Sequence, residues 1–424
     1  MPIPCNPPRR FLLPVLGLAT LGSVLADDWP QWRGPNRDGQ SAEKGIIKSW
    51  EENPPKLLWM AEGMGSGYSS VAVAGAKIYT SGNFDGGQGV VAVNAKDGKV
   101  LWRTKLTESV PQHGVDGARS MPALDGAMLY VTTSNGSIAC LTTAGKVKWQ
   151  REYKEFGDNP VPSWGFSESP LVDGDLVLCT PGGKDSVMVA LEKRSGRTIW
   201  KTKLPDIGAK GKAEAGYGSM VISNAAGVKQ YVQMTGRGVI GVRAKDGRFL
   251  WGYNKVANGT ASIPTPVVAG EHIFCSSGYG TGAALIRLKK KGNAEVEAEE
   301  VYFLNSDQLQ NHHGGMILRN GYIYCGHGHN AGKPICIDVE TGDVKWGPEK
   351  GAGVGSAGLT YAEGHFIYRW ESGHVGLVEA TEEGYKLKGS FMPEHKEKQS
   401  WAHPVISDGK LYLREQDKLM CYGL

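Results

Sequence analysis

The sequence carries little charge for its length. Only 21% of its 424 residues are charged, and 47 Lys and Arg against 43 Asp and Glu leave a formal net charge of +4. A dedicated nucleic-acid-binding protein would show a basic patch or stripe, so no nucleic acid is expected as a partner. Long apolar runs are missing too: beyond residue 25 nothing approaches the roughly 20 apolar residues a membrane-spanning helix requires. There is no G-x-S-x-G, so no nucleophile-elbow hydrolase is indicated. There is no C-x-x-C-H, so no haem is attached through that motif. No glycine-rich loop joins a strand to a helix, and the glycine runs therefore read as turns rather than phosphate cradles. Glycine itself is abundant, at 60 residues, but has no Gly-X-Y period, which excludes a collagen-like rod. Forty per cent apolar residues and 12 tryptophans exclude a disordered chain.

The first 26 residues read as a secretory signal. Arg9 and Arg10 precede an apolar run from Phe11 to Leu25, which exits through Val24-Leu25-Ala26. Pro14 and Gly17 weaken that run as a membrane helix. The expected mature protein starts at Asp27 and is exported, to the periplasm or the extracellular space. It has an N-terminal extension over 27–55, one domain over 56–424 and no transmembrane segment. An exported chain permits disulfides, yet Cys140, Cys179, Cys275, Cys325, Cys336 and Cys421 lack the spacing of a disulfide scaffold. They fall at equivalent points of recurring strands and read as small buried side chains. Cys325 with Cys336 is the one pair placed to be tested for a bond.

What the sequence does have is a repeat. AVNAKDGKVLW (92–102), ALEKRSGRTIW (190–200), GVRAKDGRFLW (241–251) and CIDVETGDVKW (336–346) each read as strand, tight turn and strand ending in Trp. A second hairpin precedes each, as in MPALDGAMLYV (121–131) and SPLVDGDLVLC (169–179). Eight copies of this first hairpin align on Val71, Pro122, Pro170, Val221, Pro266, Met316, Leu359 and Pro404. A spacing of about 40–50 residues with four strands per copy marks a β-propeller blade. The expected fold is all-β: an eight-bladed propeller of four-stranded antiparallel blades. The sixth second hairpin, 284–303, has lost its Trp, and the last copy lacks its outer strand. KLLWM (56–60) supplies that strand, so the N-terminal strand is expected to complete the C-terminal blade and close the ring. The repeated tryptophans read as a girdle packed between blades.

The motif A-x-(D/N)-x-x-(T/D)-G-(K/R)-x-x-W resembles the tryptophan docking motif of quinoprotein-like eight-bladed propellers. DDWPQWRGPNRDG (27–39), WGFSESPLVDGDLVLCTPGGKDSVMVAL (164–191), QYVQMTGRGVIGV (230–242) and NHHGGM (311–316) resemble a bacterial exported subfamily of pyrroloquinoline-quinone (PQQ)-like repeat proteins. The resemblance spans nearly the whole mature chain. It implies a fold shared by quinone-dependent alcohol dehydrogenases and by a non-catalytic lipoprotein of the outer-membrane barrel-assembly machinery. Those dehydrogenases carry an adjacent cysteine pair beside the cofactor and a calcium site of Glu, Asn and Asp. This sequence has no Cys-Cys, and Glu168 is the one channel carboxylate in the alignment.

In a propeller blade the first-to-second and third-to-fourth turns share one face. The second-to-third loops and the inter-blade links share the other. Here the first set is tight and the second long, as in 80–89, 180–186, 276–282 and 325–333, so the second face is the expected binding face. Residues two and three places before each aligned position should line the channel mouth. They include Tyr68, Ser69, Arg119, Ser120, Ser167, Glu168, Ser219, His313, Ser356 and Trp401, with Tyr217 and His403 nearby. Hydroxyls, imidazoles, aromatics, one carboxylate and one guanidinium suit a polar or sugar-like ligand. His312, His313, His327 and His329 are the candidate metal ligands, although His312 and His313 begin the sixth inner strand as neighbours and should point to opposite faces, so that at most one joins the loop histidines. Trp29 and Trp32 read as packing on the ring, with an exposed pair binding a glycan as the alternative. The leading expectation is a scaffold whose loop face takes a protein, a glycan or a small ligand. A PQQ- and calcium-dependent alcohol or sugar dehydrogenase, with Glu168 as base or metal ligand, is the first alternative. A metal-dependent hydrolase or lyase using the histidines is the second.

Overall fold

Eight four-stranded antiparallel sheets account for the strands among the described residues. The computed structural model describes residues 28–46, 48–292 and 295–424; the secretory segment expected at 1–26 lies outside the described residues. Blades 1 to 7 run consecutively over 72–105, 123–152, 171–202, 221–253, 267–304, 317–346 and 357–391. Blade 8 takes its inner strands from Val405–Ser407, Lys410–Glu415 and Lys418–Gly423. Its outer strand is Lys56–Glu62, paired antiparallel to Lys418–Gly423. The start and end of the propeller thus share one sheet, and the ring closes by backbone hydrogen bonds. Apart from two short 3-10 turns, no helix is present among the described residues, and none is long and apolar enough to cross a membrane.

The inner hairpins form because two-residue turns carry glycine at positive φ. Asp125 pairs with Met128 across Gly126, whose φ is 56°, and Asp173 pairs with Leu176 across Gly174 at 59°. The outer strands carry a recurring bulge. In blade 1 Ala92 pairs with Trp102 but Val93 with Val100, and the same shift recurs at Cys140/Leu141, Ala190/Leu191, Gly241/Val242 and Cys336/Ile337. A bulge leaves one extra residue and increases local twist, here directly beside the repeated Trp.

Four of the repeated indoles then lie on the glycine turn of the next blade. A Cβ added to Gly98 would meet the Trp59 ring at 2.6 Å, one on Gly145 would meet Trp102 at 2.8 Å, and one on Gly196 would meet Trp149 at 2.8 Å. On Gly247 the distance to Trp200 would be 2.4 Å. Trp102 and Trp149 also donate their Nε1–H to the carbonyls of Thr143 and Lys193 beside those turns, at 3.2 and 3.1 Å. The expected girdle is therefore an inter-blade dock. It breaks at blade 5, where the stretch equivalent to the glycine turn continues as strand to Lys291. Trp251 there donates instead to Gln230 of its own blade at 2.6 Å.

Buried polar stitches reinforce the closure. Arg414 of blade 8 donates to the carbonyl of Gly65 at 2.8 Å and also to Thr80 and Ser81 of blade 1. Arg369 of blade 7 reaches the carbonyl of Arg414 at 2.7 Å and pairs with Glu415 at 2.9 Å, with both side chains buried. The cysteines at 140, 179, 275, 325, 336 and 421 are all buried and free. Cys325 and Cys336 lie on neighbouring strands, but Cys325 pairs with Ile335 and Cys336 with Tyr324. This one-residue offset points them to opposite faces of the blade.

Docking on glycine predicts an asymmetry between two otherwise similar substitutions. Gly75 and Gly145 both have positive φ, but a Cβ on Gly75 meets nothing within 4 Å. Gly75→Ala should cost only the backbone term of about 1–2 kcal/mol. Gly145→Ala should cost clearly more, because Trp102 must also move. Urea unfolding of the two variants measures the difference, and equal losses would remove the dock as a constraint.

Candidate functional site

The central channel is filled from one side by the N-terminal extension. Residues 31–39 run as a chain of tight turns, with Arg33, Gly34, Arg37 and Gly39 all at positive φ. These turns aim two guanidinium groups at the channel wall. Arg37 donates from Nε to the carbonyl of Met220 at 2.8 Å, and from Nη1 and Nη2 to those of Pro170 and Ser169 at 3.1 and 2.9 Å. Arg33 donates to the carbonyl of Met316 at 2.5 Å. The three blades reached (3, 4 and 6) each offer carbonyls at or beside the residue before the innermost strand. Burial lowers both guanidinium pKa values to about 10, so both remain charged near neutrality. Trp29 is buried in the cluster between blades 8 and 1. Trp32 spans the channel: its Nε1–H donates to Thr265 of blade 5 at 3.1 Å, and its ring lies 4.8 Å from that of His403 of blade 8.

Above Trp32 the channel opens into a cavity of about 450 Å³, within the range of roughly 300–1,000 Å³ usual for small-ligand pockets. It lies on the face of the long loops. Of the expected residues, Tyr68, Arg119, Ser167, Tyr217, Ser219, His313, Trp401 and His403 line it. Ser69, Ser120, Glu168 and Ser356 do not. The division follows backbone alternation. Residues three places before the aligned position face the channel in most blades, whereas those two places before it turn into the seam between blades. Ser69 accordingly donates to the carbonyl of Ser120 at 3.0 Å, and the Ser120 hydroxyl accepts from the Thr132 N–H. Blade 4 is offset by one. Met220, whose carbonyl receives Arg37 as that of Pro170 does, is the true equivalent of Pro170, so Tyr217 and Ser219 are the pair facing the channel.

His312 and His313 both line the cavity, contrary to the expectation of opposite faces. They sit in a bend ahead of the strand, where strand alternation does not apply. The His312 ring lies 4.1 Å from that of His329, and the His313 ring 4.7 Å from that of Trp401. Ser356 is held against Nδ1 of His312 at 2.7 Å. His327 stands apart and accepts from the backbone N–H of Gln310 at 3.3 Å. Among the described residues no three His, Cys, Asp or Glu side chains converge as a metal site would require. Burial depresses the imidazoles: His312 to about 3, His403 to about 4, and His313 well below its usual value. All three are neutral at pH 7. A general base works best with a pKa near the working pH, so these rings suit hydrogen bonding better than proton transfer.

Glu168 is fully buried outside the cavity. It accepts from the Thr180 N–H and hydroxyl at 2.6 and 2.7 Å and from Gln233 at 3.1 Å, and it forms no ion pair with Arg119. Burial raises its pKa from 4.5 to about 8, with Thr180 and Arg37 opposing.

Trp32, read from sequence as packing on the ring or as half of a glycan-binding pair, lines the cavity from the extension. Other lining residues were not singled out from sequence: Trp164 comes from an inter-blade link, and Tyr279, Asn330 and Glu371 come from second-to-third loops. The loops 276–282 and 325–333 signalled two of them by their composition. Glu371 carried no signal, because the loop after Trp370 is short.

The lining holds one guanidinium, Arg119, one carboxylate, Glu371, and no cysteine. PQQ is a tricarboxylate, and calcium takes 6–8 oxygen ligands, carboxylates among them. One cation and one carboxylate do not meet that demand, so these residues do not fit PQQ with calcium.

A family model described as outer membrane protein assembly factor BamB matches residues 43–161 and 87–347. The match spans well over half of the sequence, and the chain belongs to this family of PQQ-like propellers. No curated protein matches it. Among solved structures it is similar to BamB from Moraxella catarrhalis, with 12% identity and a TM-score of 0.61 over 87% of this chain and 100% of that one. A quinohemoprotein alcohol dehydrogenase from Pseudomonas putida HK5 gives 14% and 0.64 over 94% and 80%. A europium-containing methanol dehydrogenase gives 13% and 0.60 over 94% and 98%. At such identities the likeness is one of fold.

Glu168 makes stability depend on pH with a definite sign. Its folded pKa lies above its unfolded value, so the folded state holds the proton more tightly. Its contribution is greatest below about pH 4.5 and is lost as pH rises to about 8. Glu168→Gln should remove that slope. The stability difference between variant and wild type, measured by urea unfolding, should move in favour of the variant from pH 5 to pH 8. A difference independent of pH would place the Glu168 pKa near its ordinary value.

Proposed function

We propose that this member of the family is an exported binding protein whose channel-mouth cavity holds a sugar ring. The observation that carries this reading is the makeup of the cavity wall. Tyr68 and Trp401 lie 4.7 Å apart, Trp164 and Tyr217 5.8 Å apart, and Trp32 forms the floor. A pyranose has an apolar face of C–H groups, which packs against the negative face of an aromatic ring, and a rim of hydroxyls. Ser167, Ser219, Asn330 and Glu371 line the same cavity and carry donors and acceptors for that rim. Export is supported by the Arg9–Ala26 pattern and by the description of the family as an outer membrane assembly factor. That description also favours a second reading, in which the same loop face docks a protein. The lining does not favour a PQQ-dependent dehydrogenase or a metal-dependent hydrolase.

Calorimetry and intrinsic tryptophan fluorescence of the chain from Asp27 would test this against a panel of hexoses, hexuronates and short oligosaccharides. Binding by members of the panel is expected. Trp401→Ala should weaken it by about tenfold, or roughly 1.4 kcal/mol. Silence across the panel, with a protein captured at the loop face, would favour the second reading. Thermal stabilisation by PQQ with calcium would overturn the binding-protein reading in favour of the dehydrogenase.

A further inference from the structure

We infer that the sugar this cavity takes is acidic, with its carboxylate held by Arg119; the inference rests on the sugar-binding reading and narrows it. Arg119 lines the cavity and is partly buried. Its Nη1 donates to the carbonyl of Gly117 at 2.9 Å and its Nη2 to that of Val115. Its guanidinium carbon lies 5.6 Å from the centre of the Tyr68 ring. No carboxylate lies within ion-pairing distance of it among the described residues, and Asp116, three residues back in the same link, favours its charge from farther off. A guanidinium has five N–H donors, and these backbone contacts leave Nε and one hydrogen on each terminal nitrogen without a protein acceptor.

A buried charge without a counter-ion is costly, and buried charges are ordinarily paired. The other buried arginines show how this protein meets that cost. Arg369 has Glu415 at 2.9 Å, while Arg33 and Arg37 spend their donors on channel carbonyls. Arg119 alone of these also faces a cavity. Its two carbonyl contacts anchor it in the inter-blade link and fix the plane of the fork. The planar fork matches a carboxylate with two parallel N–H donors.

The rest of the wall supports a single negative group. His312, His313 and His403 are neutral, so none adds a second cation. The other charged lining residue, Glu371, belongs to blade 7, with blades 8 and 1 between it and Arg119. It is engaged by the Ser356 N–H at 3.4 Å. A ligand with one carboxylate and several hydroxyls, a hexuronate, can place the acid at Arg119 and a hydroxyl at Glu371. A ligand with two or three carboxylates would leave charges unpaired against neutral rings.

The test compares glucuronate, galacturonate and mannuronate with glucose, galactose and mannose, using the mature chain and calorimetry. At least one hexuronate should bind about tenfold or more tightly than its neutral counterpart, as a charge-assisted hydrogen bond allows. Arg119→Gln should abolish that preference while retaining binding of the neutral hexose, which also shows that the cavity is still formed. Arg119→Lys should keep part of the preference. Hexoses and hexuronates binding alike would overturn the acidic-sugar inference and leave the sugar site standing. Binding by neither would overturn both. A hexuronate preference that survives Arg119→Gln would overturn the assignment to Arg119.

Discussion

The structure depends on an indole resting on a bare glycine. Trp59, Trp102, Trp149 and Trp200 each lie on the glycine turn of the next blade, at Gly98, Gly145, Gly196 and Gly247. Glycine is favoured twice over, by a positive φ that is costly for most side chains and by the absence of a Cβ under the ring. This contact recurs at four consecutive seams, from blades 8 and 1 to blades 3 and 4, and packs the outer strand of one blade against the turn of the next. Where a long hairpin replaces the short turn, in blade 5, the indole turns inward and hydrogen-bonds within its own blade. Ring closure then needs a different device, the shared sheet of Lys56–Glu62 and Lys418–Gly423 with the buried Arg414 and Arg369 stitches.

A ring of eight blades leaves a channel, and the N-terminal extension decides what the channel becomes. Arg33 and Arg37 reach blades 3, 4 and 6 through carbonyls just before their innermost strands. These carbonyls cannot join their own sheet ladders, and a buried carbonyl without a donor is destabilising. The same segment sets Trp32 across the channel as the floor of the cavity. Holding the propeller together and building the site are therefore tasks of one short stretch, and the site includes residues distant in sequence and drawn from every blade.

The chemistry of the cavity follows from its burial. Desolvation keeps its imidazoles neutral and places them in ring contacts with Tyr279 and Trp401. It keeps Glu168 beneath the wall, bound to Thr180 and Gln233. What remains facing the cavity is aromatic surface, hydroxyls, a single guanidinium and a single carboxylate.

The fold was legible in the sequence because it is written eight times over. The Trp and Gly positions, the two-residue turns and the outer strand displaced to Lys56–Glu62 are all local patterns at fixed spacing. The face that holds the cavity was legible for the same reason, since loop length divides the two faces. Individual side chains were legible only as far as alternation and alignment reached. The alternation rule placed Tyr68, Arg119, Ser167, His313 and Trp401, but a one-residue offset in blade 4 moved the facing pair to Tyr217 and Ser219. The bend at 312–313 put two neighbouring histidines on one side. Nothing local in the sequence says that Trp32, more than 200 residues from Thr265 and more than 350 from His403, lies between them. By itself the sequence determined the repeating unit, the ring and the face, because these rest on contacts within a blade or between adjacent ones. Only the tertiary structure decided the floor, the burial of Glu168 and the unpaired state of Arg119, because each depends on what the ring brings together across its axis.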